Sequence, residues 1–310
     1  MKKRKSITYN NILNLWLNTK NDIKIKSLLN YENLINSHIV RTIGNLKINK
    51  MKKEDIELFF NNLKENKVAT STIKNLMYII RSSLTFAYNK KYCNYIDLSN
   101  IRIKTSKINL SILSKEEQNK LETKLKSKVN IRKVCLLLCL YTGIRIGEVC
   151  GLKWEDIDFS NKSLRVKRTI ERIKNKDSEL KSKTLLIEST PKSSSSYRII
   201  PIPNFLIKYL FCYKNDGNYY LLSNSQKLYD PRLLESFYAR ILKSCNINHN
   251  KFHTLRHTFA TRSIESKMDI KTLSEILGHS SIEVTLKLYI HPTYEMKRES
   301  LENLVKFMTN

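Results

Sequence analysis

The sequence predicts a mainly α-helical chain with a small antiparallel β-sheet, divided into two domains. Three observations carry that expectation. Apolar residues recur at helical spacing through the first hundred positions; two short runs rich in Ile, Phe, Val and Leu flank a polar turn near the middle; and helical spacing returns from Pro231 onward. At 310 residues the chain is long enough for two separate hydrophobic cores.

From Ile7 to about Ile101 the spacing repeats as Ile12, Leu13, Trp16 and Leu17, then Ile56, Phe59, Phe60 and Leu63, then Ile73, Leu76, Met77 and Ile80. This half reads as a bundle of about four helices. Its last helix lies in "ATSTIKNLMYIIRSSLTFAYNKKY", with Ser/Thr at the expected start and basic residues at the end, as a helix dipole favours. Residues 100 to 118 lack a clear period until Ser114, where "SKEE" resembles a capping box. The expected boundaries are a first domain over 1–103, a basic linker from Lys104 to Ser111, and a second domain over 112–310. A helix through "VCLLLCLY" should stop at Gly143, a favoured C-cap residue. "WEDIDFSNKSLRVKRTI" then reads as a hairpin about "SNKS", and "SSYRIIPIP" as a third strand. The polar stretch between them reads as a long hairpin excursion.

Lys and Arg number 56 against 28 Asp and Glu, a formal net charge of +28, while 41% of residues are hydrophobic. Such a chain folds rather than remaining a disordered basic tail. The excess runs from "MKKRK" to "MKR" near the C-terminus, which suits an enveloping contact with nucleic acid better than one small anion site. Lys74 and Arg81, on the outer face of the fourth helix, are candidates to touch a duplex. The six cysteines form no C-x-x-C pair and several sit in apolar runs such as "VCLLLCL", so they read as reduced core residues. Polar "ITYNNIL" follows "MKKRKS" where a signal peptide would be apolar, and Val134 to Tyr141 is too short to span a bilayer. A cytoplasmic, nucleoid-associated protein without a membrane partner is expected.

"HTLRHTFAT" places His253 and His257 four apart, a spacing compatible with zinc. Between them, however, stand Thr254, Leu255 and Arg256: no Glu serves as base, and a fixed cation occupies the place of a dication. Guanidinium and imidazole together suit a phosphate instead. Three further stretches meet the same need. "TGIRIGEVCGLKW" sets Arg145 just past a helix end with Glu148 placed to orient it; "STPKSSSSYRIIPI" puts Lys192 in the hairpin region; "LGHSSIEVTLKLYIH" sets His279 ten residues ahead of Tyr289. Ser280 with Glu283 resembles a capping box, which would put His279 beside a helix N-terminus.

Together these boxes resemble the tyrosine recombinases of the phage-integrase family, in order and approximate spacing, across almost the whole chain. The resemblance implies a two-domain DNA clamp: a helical core-binding domain, similar over "KMKKEDIELFFNNL", and a mixed α/β catalytic domain. Because the helical half begins almost at residue 7, the mobile-element type without an arm-binding domain is expected. The implied activity is site-specific cleavage and rejoining of DNA through a 3′-phosphotyrosine, integrating or excising a mobile element. Arg145 and Arg256 suit the non-bridging oxygens of a crowded anionic transition state, and His279 can donate to the same phosphate. Tyr289 is the expected nucleophile, His253 its base or proton relay, and Lys192 the acid for the departing 5′-oxygen. Glu148, His257 and His291 support these groups, the histidines through structural hydrogen bonds. No cofactor or divalent metal is expected. The implied partners are double-stranded DNA attachment sites, a homotetramer on paired sites, and an accessory directionality factor. A type IB topoisomerase-like enzyme and a non-catalytic DNA-binding regulator are the alternatives.

Overall fold

Thr8 opens the first helix, α1 (Tyr9–Asn18), through a reciprocal cap: its hydroxyl accepts the Asn11 N–H at 3.3 Å and the Asn11 side chain accepts the Thr8 N–H at 3.1 Å. α2 (Ile25–Leu34) runs into a π-helical turn over Ile35–Ile39, followed by α3 (Lys53–Glu65) and α4 (Thr70–Asn89). The structure is a computed structural model, described over residues 7–103, 111–175, 182–190, 197–289 and 294–309. The chain divides into two units, Met1–Lys107 and Ile108–Asn310. Most of the expected linker lies outside the described residues.

The core of the first unit is built from the stripes the spacing marked, with Ile12, Leu13, Trp16, Ile56, Phe59, Phe60, Leu63, Ile73, Leu76, Met77 and Ile80 all buried. Each such burial contributes roughly 1.5–3 kcal/mol. The polar tips in this core find partners. Tyr9 shares a 2.8 Å hydrogen bond with Ser83, and the Trp16 indole donates to Ser82 at 3.0 Å, pinning α1 to α4. The start of α4 differs from expectation: Ala69 stands at the cap and makes no side-chain hydrogen bond. Thr70 and Ser71 already lie inside the first turn, and Lys90 and Lys91 fall just beyond the last.

In the second unit, α5 (Lys115–Lys126) starts at the Ser114–Glu117 box, with hydrogen bonds of 3.1 and 2.9 Å. α6 (Ile131–Thr142) is the central helix, buried on every side from Val134 to Leu140. The buried Lys133 on this helix donates to the Lys124 and Ser127 carbonyls at 3.0 and 2.5 Å, closing the C-terminal end of α5. Cys135, Cys139 and Cys150 are free, buried thiols, and burial pushes their pKa up. After the short α7 (Ile146–Cys150) come β1 (Ile157–Asp158) and β2 (Ser163–Val166), the expected hairpin.

The next two strands depart from a single continuous run. β3 (Thr169–Lys174) and β4 (Thr184–Ser189) form their own antiparallel sheet, with Thr169 opposite Ser189. The run breaks at Arg168, whose guanidinium turns aside to Asp156, Glu155 and the Gly151 carbonyl. β3 then lies close against α7, where a Cβ on Gly147 would strike Thr169 and Ile170. β5 (Arg198–Pro201) returns to the first sheet, giving the order β1-β2-β5 with Leu164 opposite Ile200. Helices complete the unit: α8 (Asn204–Phe211), α9 (Pro231–Ser244), α10 (Thr254–Glu265), α11 (Ile270–Leu277), α12 (Ile282–Tyr289) and α13 (Tyr294–Thr309). Among the described residues no helix is long and apolar enough to cross a membrane.

Candidate active site

α6 ends because Gly143 takes the left-handed conformation at φ 63°, with its Cβ position blocked by Phe259 and Leu277. Two residues later Arg145 stands at the N-terminus of α7. The Glu148 carboxylate accepts the Arg145 backbone N–H at 3.0 Å and its Nη1 at 2.8 Å, so one acid fixes both the turn and the guanidinium. Arg145 Nη2 also reaches the Gly278 carbonyl at 3.4 Å.

Glu148 has a second partner that the spacing of the boxes did not reveal. Arg198, at the start of β5, meets the same carboxylate with contacts of 2.9 and 3.2 Å and donates from Nε to the Ile276 carbonyl at 2.6 Å. Its side chain is only 6% exposed. A sequence signal existed: Arg198 shares strand parity with Ile200, which faces the core, and an inward-pointing arginine needs an acid. Burial alone would raise the Glu148 pKa, but the hydrogen bonds and charge of Arg198, then the charge of Arg145, outweigh it and hold the carboxyl at about 2.

Arg256 lies in the first turn of α10 and is 3% exposed. Its Nη1 donates to the Gly143 carbonyl and its Nη2 to the Leu277 carbonyl, each at 2.8 Å. These carbonyls belong to the C-terminal ends of α6 and α11, where helix geometry leaves acceptors unpaired and the dipole is negative. One guanidinium thus ties together the two turns that lead into Arg145 and His279.

His253 immediately precedes α10, its ring 5.1 Å from that of His257. Burial, then the positive charge of Arg256, lowers the His253 pKa to about 4, and the same two causes lower that of His257. His279 follows Gly278, whose φ of 65° and close approach to Arg198 exclude a side chain there. Its Nδ1 lies 2.8 Å from the Thr285 hydroxyl, a second partner absent from the sequence reading. Burial and the charges of Arg256, Arg145 and Arg198 lower the His279 pKa to about 4. The cap of α12 also shifts by one residue: Ser281, not Ser280, accepts the Glu283 N–H, at 3.1 Å.

Arg145, Glu148, His253, Arg256, His257 and His279 therefore belong to one cluster, and Tyr289 closes α12, the helix that begins three residues after His279. Lys192 and His291 lie outside the described residues. In the first unit Lys74 and Arg81 are both exposed, and Arg81 Nη2 donates to the Leu98 carbonyl at 2.8 Å, so that arginine also holds its own chain. Among the described residues no three His, Cys, Asp or Glu side chains gather as metal ligands.

Fixed guanidinium donors beside imidazoles whose pKa is lowered make a site suited to a phosphodiester, with the charge to stabilise extra negative oxygens and, in His253, a neutral base. Comparison with known proteins gives the class its name. Residues 111–296 match the phage integrase family and residues 8–64 match the phage integrase N-terminal SAM-like domain. A tyrosine recombinase XerC-like protein of Caldanaerobacter subterraneus subsp. tengcongensis is 31% identical over 96% of this chain and 83% of its own. The transposase from transposon Tn916 of Enterococcus faecalis is 27% identical over 85% of this chain and 69% of its own. The integrase of transposon Tn1549, solved with a circular intermediate DNA, shares the fold with a TM-score of 0.78 at 22% identity, over 96% of this chain and 100% of that one. The chain belongs to the phage integrase family, the tyrosine recombinases that cleave and rejoin DNA.

Proposed function

We propose that this recombinase integrates or excises a mobile element at double-stranded DNA attachment sites, working as a tetramer on paired sites in the cytoplasm. The gathering of Arg145, Arg256, His253 and His279 at converging helix ends carries the reading. The relatives named as transposases of mobile elements support its biological direction.

In the proposed step the Tyr289 oxygen attacks phosphorus and its proton passes to His253, which is neutral and able to accept it. The bond from phosphorus to the 5′-oxygen breaks, and Lys192 protonates the departing oxygen. Arg145 and Arg256 hold the non-bridging oxygens while His279 donates a third hydrogen bond, interactions that strengthen as charge builds on the phosphorane. The 3′-phosphotyrosine ester conserves the energy of the original bond, so a 5′-hydroxyl from another strand reverses the step without ATP. Tyr289→Phe tests the assignment on a suicide DNA substrate resolved by denaturing electrophoresis. The variant should bind DNA and form no covalent adduct; an adduct that persists moves the nucleophile elsewhere, with Tyr294 the next candidate.

A further inference from the structure

A helical threonine can return its hydroxyl to the carbonyl four residues back, as Thr85, Thr142 and Thr309 do at 2.9, 2.6 and 2.9 Å. Thr285 behaves differently. It is fully buried, and among the described residues its side-chain hydrogen bond joins Oγ1 and Nδ1 of His279, 2.8 Å apart. A buried hydroxyl carries one proton that needs an acceptor, and here the ring nitrogen is the acceptor at hand.

We infer that Thr285 is a positioning residue that donates to Nδ1 of His279 and thereby keeps the imidazole proton on Nε2, aimed for donation to the DNA phosphate. The inference rests on the phosphate role proposed for His279. A neutral imidazole donates from only one nitrogen, and the hydrogen bond at the other decides which. Burial weighs most on this ring, followed by the positive charges of Arg256, Arg145 and Arg198. With the proton on Nε2, His279 donates to the anionic transition state without first acquiring a charge among three arginines. The arrangement also joins two elements. The ring belongs to the turn after α11, whereas Thr285 belongs to α12 and precedes Tyr289 by one turn. The hydrogen bond therefore sets the donor and the nucleophile helix in one register.

Nitrogen-15 NMR of the DNA-free protein reads the tautomer directly, because protonated and bare ring nitrogens resonate far apart. The expected result is a proton on Nε2 of His279 with Nδ1 accepting, the Nδ1 resonance moving in Thr285→Val and being restored in Thr285→Ser. A proton on Nδ1 in the unsubstituted protein would overturn the inference. On a suicide substrate, Thr285→Val should slow adduct formation roughly 10- to 100-fold, by analogy with loss of the partner that orients a metal-bound histidine. Thr285→Ser should recover most of the rate, and Thr285→Val should add little in a His279→Ala background. A melting temperature measured for each variant separates this from unfolding. If Thr285→Val cleaves at the full rate while His279→Ala does not, the positioning role is refuted and the role of His279 stands. Full cleavage by His279→Ala removes His279 from the reaction, a failure of the functional reading that the tautomer measurement does not share.

Discussion

Glu148→Gln probes the charge that organises the site. The carboxylate is about 5% exposed and is shared by Arg145 and Arg198. Holding it at about 2 against an ordinary 4.5 corresponds to about 3 kcal/mol of stability at neutral pH. The folded pKa is depressed, so that contribution is full above the unfolded value and is lost as pH falls through the folded one. Glutamine is nearly isosteric but puts an amide N–H₂ toward guanidinium donors and leaves two partly buried cations without a counter-charge. The second unit should therefore lose on the order of 3 kcal/mol at pH 7, and the gap to the unsubstituted protein should narrow to about 2 kcal/mol at pH 3.5. Urea unfolding followed by tryptophan fluorescence measures this in a Trp16→Phe background, where Trp154 of the second unit is the remaining indole. A loss below about 1 kcal/mol at pH 7, or a gap that stays constant between the two pH values, would refute the ionic account.

Arg145→Ala and Arg256→Ala should each reduce adduct formation by roughly 100-fold or more while changing DNA affinity little, because two cations among dozens add little to total phosphate contact. Parallel losses in a gel shift and a cleavage assay would argue against a transition-state role. Replacing the bridging 5′-oxygen by sulfur should rescue Lys192→Ala, since a thiolate leaves without a proton; rescue instead of Lys181→Ala or Lys183→Ala, the lysines that precede it in the same polar excursion, reassigns the acid. Proton NMR of the DNA-free protein should show His253 and His279 neutral down to about pH 5, as their pKa of about 4 requires; titration near 6.5 would contradict the burial and charge effects. Removal of the chain after Thr293 should leave DNA binding to single sites and abolish paired-site complexes, because the helix it deletes exposes Leu301, Leu304, Val305, Phe307 and Met308. Unchanged paired-site complexes, or a large fall in the melting temperature of the monomer, would show that this face packs within its own chain.

Much of this architecture was legible because local physics fixes it. The stripe of Ile56, Phe59, Phe60 and Leu63 can only be one face of a helix, the Ser114 box marks a helix start, and Gly143 marks an end that requires positive φ. Arg145 and Glu148 lie three apart, so their pairing could be read from spacing alone. What escaped depends on distance along the chain. Glu148 and Arg198 are separated by 50 residues, and nothing local joins them. The break at Arg168 likewise follows from a tertiary partner, Asp156, that no periodicity encodes. Thr285 escaped for another reason: a threonine inside a helix ordinarily bonds to its own backbone, and only the position of the His279 ring shows that this one does not.

The three arginines differ in what they hold, and the difference divides their work. Arg256 is bonded to main-chain carbonyls at two helix ends and ties those ends together. Arg198 spends its charge on Glu148 and is sealed against the core. Arg145 shares that acid yet keeps about 33% of its side chain exposed. Arg198 supplies Glu148 with a second cation, so the buried carboxylate stays paired if Arg145 shifts toward the phosphate that the proposed function assigns to it. The buried second arginine also offsets the charge of an acid that would otherwise stand uncompensated beside the proposed phosphate site.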